Sequence, residues 1–247
     1  MIGTVYLVGA GPGPADLLTI RAARLLSEAD VVLHDALVQP EVIALAVRAR
    51  IMSVGKRAGR PSMDQRMIGR LLVRLSRRHA TVVRLKGGDP HLFGRASEEI
   101  AACREAGVPV VTAPGVTAAF GAAAALGLSL SERGVSRSVT FVTPAVGRGE
   151  VASDHWARAA AAAETAVIYM GARRAQTVRE ALLRSGLPAT RPVALVESAL
   201  CPGERVVCGT LADLAELAQA LGAGPTLLVI GEVARHAGTA VAVARAA

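Results

Sequence analysis

A glycine turn closes a predicted strand in the segment VVRLKGGDPHLFGR, residues 82–95. Val82–Leu85 alternates like a strand entering a sheet, and a charge pair, two glycines and a proline then share one turn. Because glycine has no Cβ, a ligand can touch the backbone at Gly87 and Gly88. The turn therefore predicts a site in which backbone atoms hold a small molecule.

Two more glycine-rich turns follow predicted strands, at residues 9–13 and 114–118. In an open α/β sheet, ligands lie beyond the carboxyl ends of the strands, so we expect the turns at 9–13 and 87–90 to face one crevice. The turn at 114–118 closes a further strand and is expected to form another wall. Together the three turns indicate a ligand site.

The first of these turns, VGAGPGPAD, invites a dinucleotide interpretation that its details oppose. Gly9 and Gly11 fit the pattern G-x-G-x-x-G, but Pro14 occupies the third glycine position. Pro12 also removes an amide that a pyrophosphate would need. No G-K-[ST] follows, which opposes a P-loop. A dinucleotide-binding oxidoreductase and a tight turn without a ligand stay open as alternatives.

The apolar pattern around the turns predicts a βαβ unit at the start of the chain. Strands are predicted at Val5–Val8 and Asp30–Leu33, with a helix over Leu17–Leu26 behind Asp16 as its cap. The first half then continues with a helix over 65–77, a strand over 82–85, a helix starting at Ser97-Glu98-Glu99 and a strand over 108–112. Residues 116–126 are mostly Ala and Val and predict a tightly packed helix.

Strands and helices keep alternating in the second half, which predicts an α/β fold of two domains in series. Strands are predicted near 138–143, 166–170, 192–197, 204–208 and 226–230, and helices near 156–163, 173–185 and 211–221. We predict an N-terminal α/β domain over 1–113, a C-terminal α/β domain over 114–235 and a tail over 236–247.

The composition indicates a well-buried globular protein with an acidic partner. The 247 residues are 52% hydrophobic and carry a net charge of +8. Only 2% of the residues are aromatic, so few side chains are available on which unpaired bases could stack. We therefore expect no nucleic acid as the partner, although a nucleic-acid-binding module stays open as an alternative. An anionic surface and a small molecule with many carboxylates or phosphates are the other acidic partners that the charge allows.

The cysteines and the apolar runs indicate the cellular compartment of the protein. Cys103, Cys201 and Cys208 are odd in number and lack metal-site spacing, so neither a disulfide framework nor a metal is expected. The first residues lack a basic leader, and no apolar run reaches the roughly 18 residues of a membrane span. We expect a soluble, cytoplasmic protein without a membrane partner.

An ordered set of motifs resembles the tetrapyrrole methylase family over residues 3–233. In order and spacing they are GAGPGPADLLT, ADVVLHDALV, VGKRAG, VVRLKGGDPHLFGR with EE behind it, APGVTAAFGAAAALGL and VIYMG. The combination of VGKRAG with RLKGGDP favours the members that methylate uroporphyrinogen III over the later precorrin methylases.

The resemblance implies two αβα domains in series with the active-site cleft between them, usually in a homodimer. It implies that S-adenosylmethionine donates methyl groups to C2 and C7 of uroporphyrinogen III, giving precorrin-2 for sirohaem or cobalamin biosynthesis. A precorrin C-methyltransferase that acts on a later corrinoid intermediate is the alternative within the family.

The resemblance also assigns roles to single residues. Asp35 and Lys56 match the family's proposed acid/base pair. Positions that match the family's cofactor contacts are Pro12, Gly87, Gly88, Asp89, Leu92, Thr117, Ala118, Met170 and, where the family has a glycine, Ala199.

A substrate with eight carboxylates needs fixed cations, and arginine suits bidentate carboxylate contacts. Besides Lys56, the cations that we expect to serve the substrate are Arg57, Arg84, Arg95 and Arg133. The chain departs from the family at Ser131-Glu132-Arg133, where Thr-His-Arg is usual, and at Pro144-Ala145, where Gly-His is usual.

Overall fold

The structure is a computed structural model, and it describes residues 2–55, 64–145 and 153–237. The chain divides into two compact units, Met1–Ala118 and Ala119–Ala247. Each unit is built on one five-stranded sheet with packed helices, which confirms the predicted α/β class. The domain limits at 113 and 235 stay predictions.

The sheet of the first unit is entirely parallel. Its elements are β1 (Thr4–Gly9), α1 (Ile20–Glu28), β2 (Val31–His34), α2 (Pro40–Ala44), β3 (Arg50–Ser53), α3 (Gln65–Ser76), β4 (Thr81–Lys86), α4 (Ala96–Glu105) and β5 (Val110–Ala113). The strand order is β3-β2-β4-β1-β5, and Val8 of β1 pairs with Leu85 on one side and Ala113 on the other. Parallel strands end at the same edge of a sheet, so the turns after β4, β1 and β5 are neighbours.

Helices cover both faces of this sheet. α1 and α2 pack on the face that carries Val32, Val83 and Leu85, whereas α3 and α4 pack on the face of Leu33 and Val82. Because successive residues of a strand point to opposite faces and both faces are covered, the strands are apolar almost throughout. The fully buried charged residues of β4, Arg84 and Lys86, break this rule.

The second unit has a mixed sheet. Its elements are α5 (Ala118–Leu126), which begins at the last residue of the first unit, β6 (Val139–Val142), α6 (His155–Ala162), β7 (Thr165–Tyr169), α7 (Ala175–Arg184), β8 (Pro192–Glu197), β9 (Arg205–Thr210), α8 (Leu214–Gln219) and β10 (Thr226–Gly231). The order is β6-β7-β10-β8-β9, with β6 and β7 parallel and the other pairs antiparallel. α6, α7 and α8 pack on one face.

Two predicted helix starts are wrong. α1 begins at Ile20 because the Thr19 hydroxyl caps it, accepting a hydrogen bond from the Ala22 amide at 3.1 Å. Asp16 lies instead in a short 3₁₀ turn. α4 begins behind Arg95, which has a left-handed φ of 55°, and no side chain caps this helix.

The apolar pattern misses α2 and β3, which are only five and four residues long. β3 is an edge strand whose Ile51 is exposed, so it lacks the apolar run of a buried strand. In α3, Met67 is exposed, whereas Ile68 and Leu72 are buried.

A buried carboxylate at the end of β8 holds the loop that precedes β10. Glu197 accepts hydrogen bonds from the amides of Gly222 at 2.8 Å and Gly224 at 2.6 Å. An ideal Cβ on Gly224 would lie 2.8 Å from Glu197 Oε1, so glycine is needed for this approach. The two amides favour the charged form and lower the pKa of Glu197.

Glu197→Gln should lower the urea midpoint at neutral pH, because the glutamine side chain lacks the negative charge of the carboxylate and one of its two acceptor oxygens. The pKa of Glu197 is lowered in the folded protein, so its stabilisation of the folded state is complete above the unfolded-state pKa of about 4.3. It is lost as the pH falls through the folded-state pKa. Urea unfolding should show midpoints of wild type and variant that converge in acid. The exposed Glu105→Gln serves as the control, and a difference that stays constant into acid would contradict this assignment.

Candidate active site

Three glycine turns of the first unit meet at the carboxyl edge of its sheet. An ideal Cβ on Gly115 would lie 2.3 Å from the carbonyl oxygen of Gly88 and 2.8 Å from the Cα of Gly9. A Cβ on Gly9 would lie 2.7 Å from the same oxygen. The turns after β4, β1 and β5 are therefore in backbone contact, as the sequence pattern predicts.

Hydrogen bonds join the first two turns. The amide of Gly88 donates to the carbonyl of Gly11 at 2.7 Å, and the amide of Gly11 donates back at 3.2 Å. Gly88 has a left-handed φ of 64°, which favours glycine. Gly87, by contrast, is exposed, and the nearest atom to an ideal Cβ there is Leu37 Cβ at 3.8 Å. The backbone at Gly87 thus borders open space.

Asp89 ties the second turn to the third. Its Oδ1 accepts a hydrogen bond from the His91 amide at 2.8 Å, and its Oδ2 accepts one from the Gly115 amide at 2.9 Å. Both carboxylate oxygens therefore hold backbone. The observed contacts of Asp89 fix the shape of the site.

The remaining predicted cofactor contacts of the first unit lie around these turns. Pro12 is in the turn after β1, and the Leu92 amide donates to the carbonyl of Asp89 at 3.3 Å. An ideal Cβ on Gly88 would lie 3.6 Å from the Ala118 nitrogen and 3.8 Å from the Thr117 Cα. The structure thus brings the predicted contacts from all three turns together.

Met170 and Ala199 lie in the second unit, after β7 and β8. Met170 has a left-handed φ of 56° and is 53% exposed. Ala199 stands between Ser198 and Leu200, whose φ angles are 51° and 61°. Such angles are uncommon for residues other than glycine and cluster at functional sites. Both positions therefore remain candidates.

Asp35 lies just after β2 in an ion pair with Arg84 of β4. Arg84 Nη2 donates to Asp35 Oδ1 at 2.5 Å, and the Asp35 side chain is 33% exposed. The guanidinium is buried and also donates to Glu99 Oε1 and to the Leu85 carbonyl. Because these partners satisfy it in the interior, we correct its assignment and no longer place Arg84 at a substrate carboxylate.

Glu99 joins Arg84 to a second buried cation. Its carboxylate accepts from Arg84 Nε at 2.9 Å, from Lys86 Nζ at 3.1 and 3.2 Å, and from Gln65 Nε2 at 2.7 Å. Burial lowers the pKa of Lys86, and the neighbouring Arg84 charge acts in the same direction. We call Lys86, Glu99, Arg84 and Asp35 the charge chain.

The sequence prediction missed Lys86 and Glu99. One signal was present: Arg84 and Lys86 are two residues apart in a buried strand and so point to the same face. Two cations on one covered face require a buried anion. Nothing in the sequence pattern singles out Glu99 over Glu98, because both stand in the first turn of α4.

The other predicted substrate cations differ in their surroundings. Arg95 is exposed and forms a two-bond pair with Glu98, at 2.7 and 2.8 Å. Arg133 is exposed in a turn of the second unit, next to the exposed Glu132. Lys56 and Arg57 lie outside the described residues, so their assignments stay predictions.

Within residues 2–55, 64–145 and 153–237, no three His, Cys, Asp or Glu side chains are grouped as a metal site would need. The same residues contain no helix of the length and apolarity that a membrane span requires.

Comparison with known proteins gives matches along nearly the whole chain. A family model described as Tetrapyrrole (Corrin/Porphyrin) Methylases matches residues 4–215. Siroheme synthase 2 of Aeromonas hydrophila is 44% identical over 235 residues, which cover 94% of this chain and 49% of that protein. The chain thus spans about half the length of this curated relative.

Solved structures match this chain over nearly its whole length and nearly the whole length of the matched chains. Uroporphyrin-III C-methyl transferase from Thermus thermophilus, complexed with S-adenyl homocysteine, is 42% identical with a TM-score of 0.83, covering 94% of this chain and 99% of that chain. A cobalamin biosynthetic enzyme, cobalt precorrin-4 methyltransferase, is 28% identical with a TM-score of 0.82, covering 94% and 95%.

Proposed function

The chain belongs to the tetrapyrrole methylase family, and we propose that it is an S-adenosylmethionine-dependent C-methyltransferase acting on uroporphyrinogen III. The product is precorrin-2, methylated at C2 and C7, for sirohaem or cobalamin biosynthesis. The observation that carries the proposal is the meeting of three glycine turns in a chain 42% identical to the Thermus enzyme.

The turns suit a donor that is held by backbone. Gly87 leaves space where a side chain would otherwise stand, while Gly9 and Gly115 bring the turns after β1 and β5 closer to the Gly88 carbonyl than any Cβ allows. Thr117 and Ala118 follow the third turn and border Gly88. When bound there, S-adenosylmethionine supplies an electrophilic methyl group. Asp89, through its bond to the Gly115 amide, keeps the walls of this site in place.

Asp35 is the proposed base. Once a methyl group has been added, the macrocycle must release a proton, which a carboxylate within hydrogen-bond reach can accept. Arg84 holds Oδ1 of Asp35, and Oδ2 makes no hydrogen bond to any described residue. That free oxygen is the one that we assign to the proton. Lys56, its predicted acid partner, stays part of the proposal on the family resemblance alone.

Exposed arginines serve the carboxylates of the substrate. Arg133 has no ion pair within the described part of the chain, so its guanidinium needs no rearrangement to bind an anion. Arg95 is held by Glu98 and presents its remaining donors. Arg95 and Arg133 therefore stay in the proposed set of substrate cations, and Arg84 leaves it.

The proposal includes a homodimer, as the family resemblance implies, and the cytoplasm as its location. The three free cysteines, Cys103, Cys201 and Cys208, are compatible with a reducing compartment. Light scattering of the purified protein tests the dimer.

Incubation with S-adenosylmethionine and enzymatically generated uroporphyrinogen III, followed by mass spectrometry, tests the function. The proposal expects a product heavier by two methyl groups. An enzyme that leaves uroporphyrinogen III unchanged but methylates a later corrinoid intermediate would belong to the alternative within the family.

Gly87→Ala should weaken donor binding without lowering stability. Among the described residues the new methyl group meets nothing closer than 3.8 Å, so we expect a bound ligand to be what it contacts. Overpacking of this kind costs about 1–3 kcal/mol, or roughly 10–100-fold in Kd for S-adenosylhomocysteine by calorimetry. Gly186→Ala is the complementary control. Gly186 has a φ of 96°, at which alanine is strained, so this variant should lose stability and keep its donor affinity. Equal donor affinity in wild type and Gly87→Ala would remove this turn from the site.

Asp35→Asn keeps the size of the side chain but cannot accept a proton. If Asp35 is the base, kcat should fall by about 10²–10⁴-fold while donor affinity is preserved. Glu28→Gln, an exposed carboxylate of the same unit, provides the matched control and should turn over normally. An Asp35→Asn enzyme with the wild-type kcat would exclude the proposed base.

Arg133→Gln should raise KM for the tetrapyrrole by about tenfold, the size expected for one hydrogen bond to a charged group. Since such a contact is made equally before and during reaction, kcat should not change. Arg158→Gln removes an equally exposed arginine of the same unit and should leave KM as it is. Equal effects of the two variants would show that overall charge, and not Arg133, attracts the substrate.

A further inference from the structure

The charge chain runs from the interior of the first unit to its surface. The side chains of Glu99, Arg84 and Lys86 are 0, 2 and 3% exposed, whereas that of Asp35 is 33% exposed. Arg84 bridges the two carboxylates, with Nε on Glu99 Oε1 at 2.9 Å and Nη2 on Asp35 Oδ1 at 2.5 Å. Only Asp35 among the four is open to a substrate.

Stability alone is a poor reason for burying these charges. Taking a charge out of water costs several kcal/mol, and buried ion pairs can often be replaced by apolar side chains without loss. The charges of Lys86, Glu99, Arg84 and Asp35 do sum to zero, which makes the burial tolerable. What an apolar replacement could not supply is a fixed donor directed at Asp35.

Glu99 is the residue that fixes this donor. Glu99 accepts a hydrogen bond from Arg84 Nε, and the Leu85 carbonyl accepts one from Nη1. These two bonds fix the guanidinium plane and so fix the direction in which Nη2 donates to Asp35. Glu99 is itself held by Lys86 and by Gln65 Nε2 at 2.7 Å. The orientation of Asp35 therefore depends on a carboxylate that no substrate can touch.

We propose that Glu99 is a positioning residue for the methyl transfer, acting through Arg84 to hold one oxygen of Asp35 and direct the other at the substrate. This inference rests on the proposed function and on Asp35 as its base. Removing Glu99 leaves Asp35 present but free to turn. A loss of alignment near 1 Å costs about 10²-fold in rate.

The test is a double-mutant cycle between Glu99→Gln and Asp35→Asn. Glu99→Gln alone should lower kcat by roughly 10–100-fold, with KM for uroporphyrinogen III and Kd for S-adenosylhomocysteine unchanged. In the Asp35→Asn background the same substitution should cost nothing further, because residues that act as one unit are non-additive. Glu105→Gln, at the exposed end of the same helix, is the control with wild-type turnover.

A second variant covers the case in which Glu99→Gln fails to fold, since that change leaves two buried cations with one carboxylate. Glu99→Gln/Lys86→Met removes one charge of each sign and should show the same kcat loss and the same non-additivity. Wild-type kcat in a folded variant, or a full additional loss on top of Asp35→Asn, would overturn the inference alone. A wild-type protein without any turnover of uroporphyrinogen III would overturn the proposed function, and the inference with it.

Discussion

The close approach of backbone at Gly9, Gly88 and Gly115 is the constraint on which the rest of the first unit depends. Strand β1 lies between β4 and β5, so the turns after all three strands must share one edge of the sheet. A Cβ on Gly115 would stand 2.3 Å from a carbonyl oxygen, a distance that no side chain tolerates. Glycine at Gly115 is therefore a condition for the contact between these turns.

The glycines of these turns have no side chains and both oxygens of Asp89 are bonded to backbone amides, so the charged groups that face a substrate must come from beside the turns. Strand β4 supplies them, because Arg84 and Lys86 alternate onto the face covered by α4 and meet Glu99 there. β2 pairs with β4 on its other side, and Asp35 follows β2 at the same edge. Strand order thus sets both the glycine walls and the carboxylate beside them.

Much of this arrangement can be predicted from the sequence. Their glycine and proline content identifies the glycine turns, and apolar runs separated by turns predict β1, β4 and the α/β class. Partners distant in sequence cannot be predicted in this way: Arg84 on its own has the same chemistry whether it faces a substrate or Glu99. Helix starts depend on equally local choices, since both Asp16 and Thr19 are good caps and only the 3₁₀ turn before Thr19 decides between them.

A crystal structure of this chain grown with S-adenosylhomocysteine would decide whether the backbone turns after β1, β4 and β5 hold the methyl donor. We expect density for the ligand against the backbone of Gly87 and Gly88, with Thr117 beside it and the Asp89 bond to the Gly115 amide intact. Density for the ligand at any other place, with the space beside Gly87 filled only by solvent, would contradict this placement.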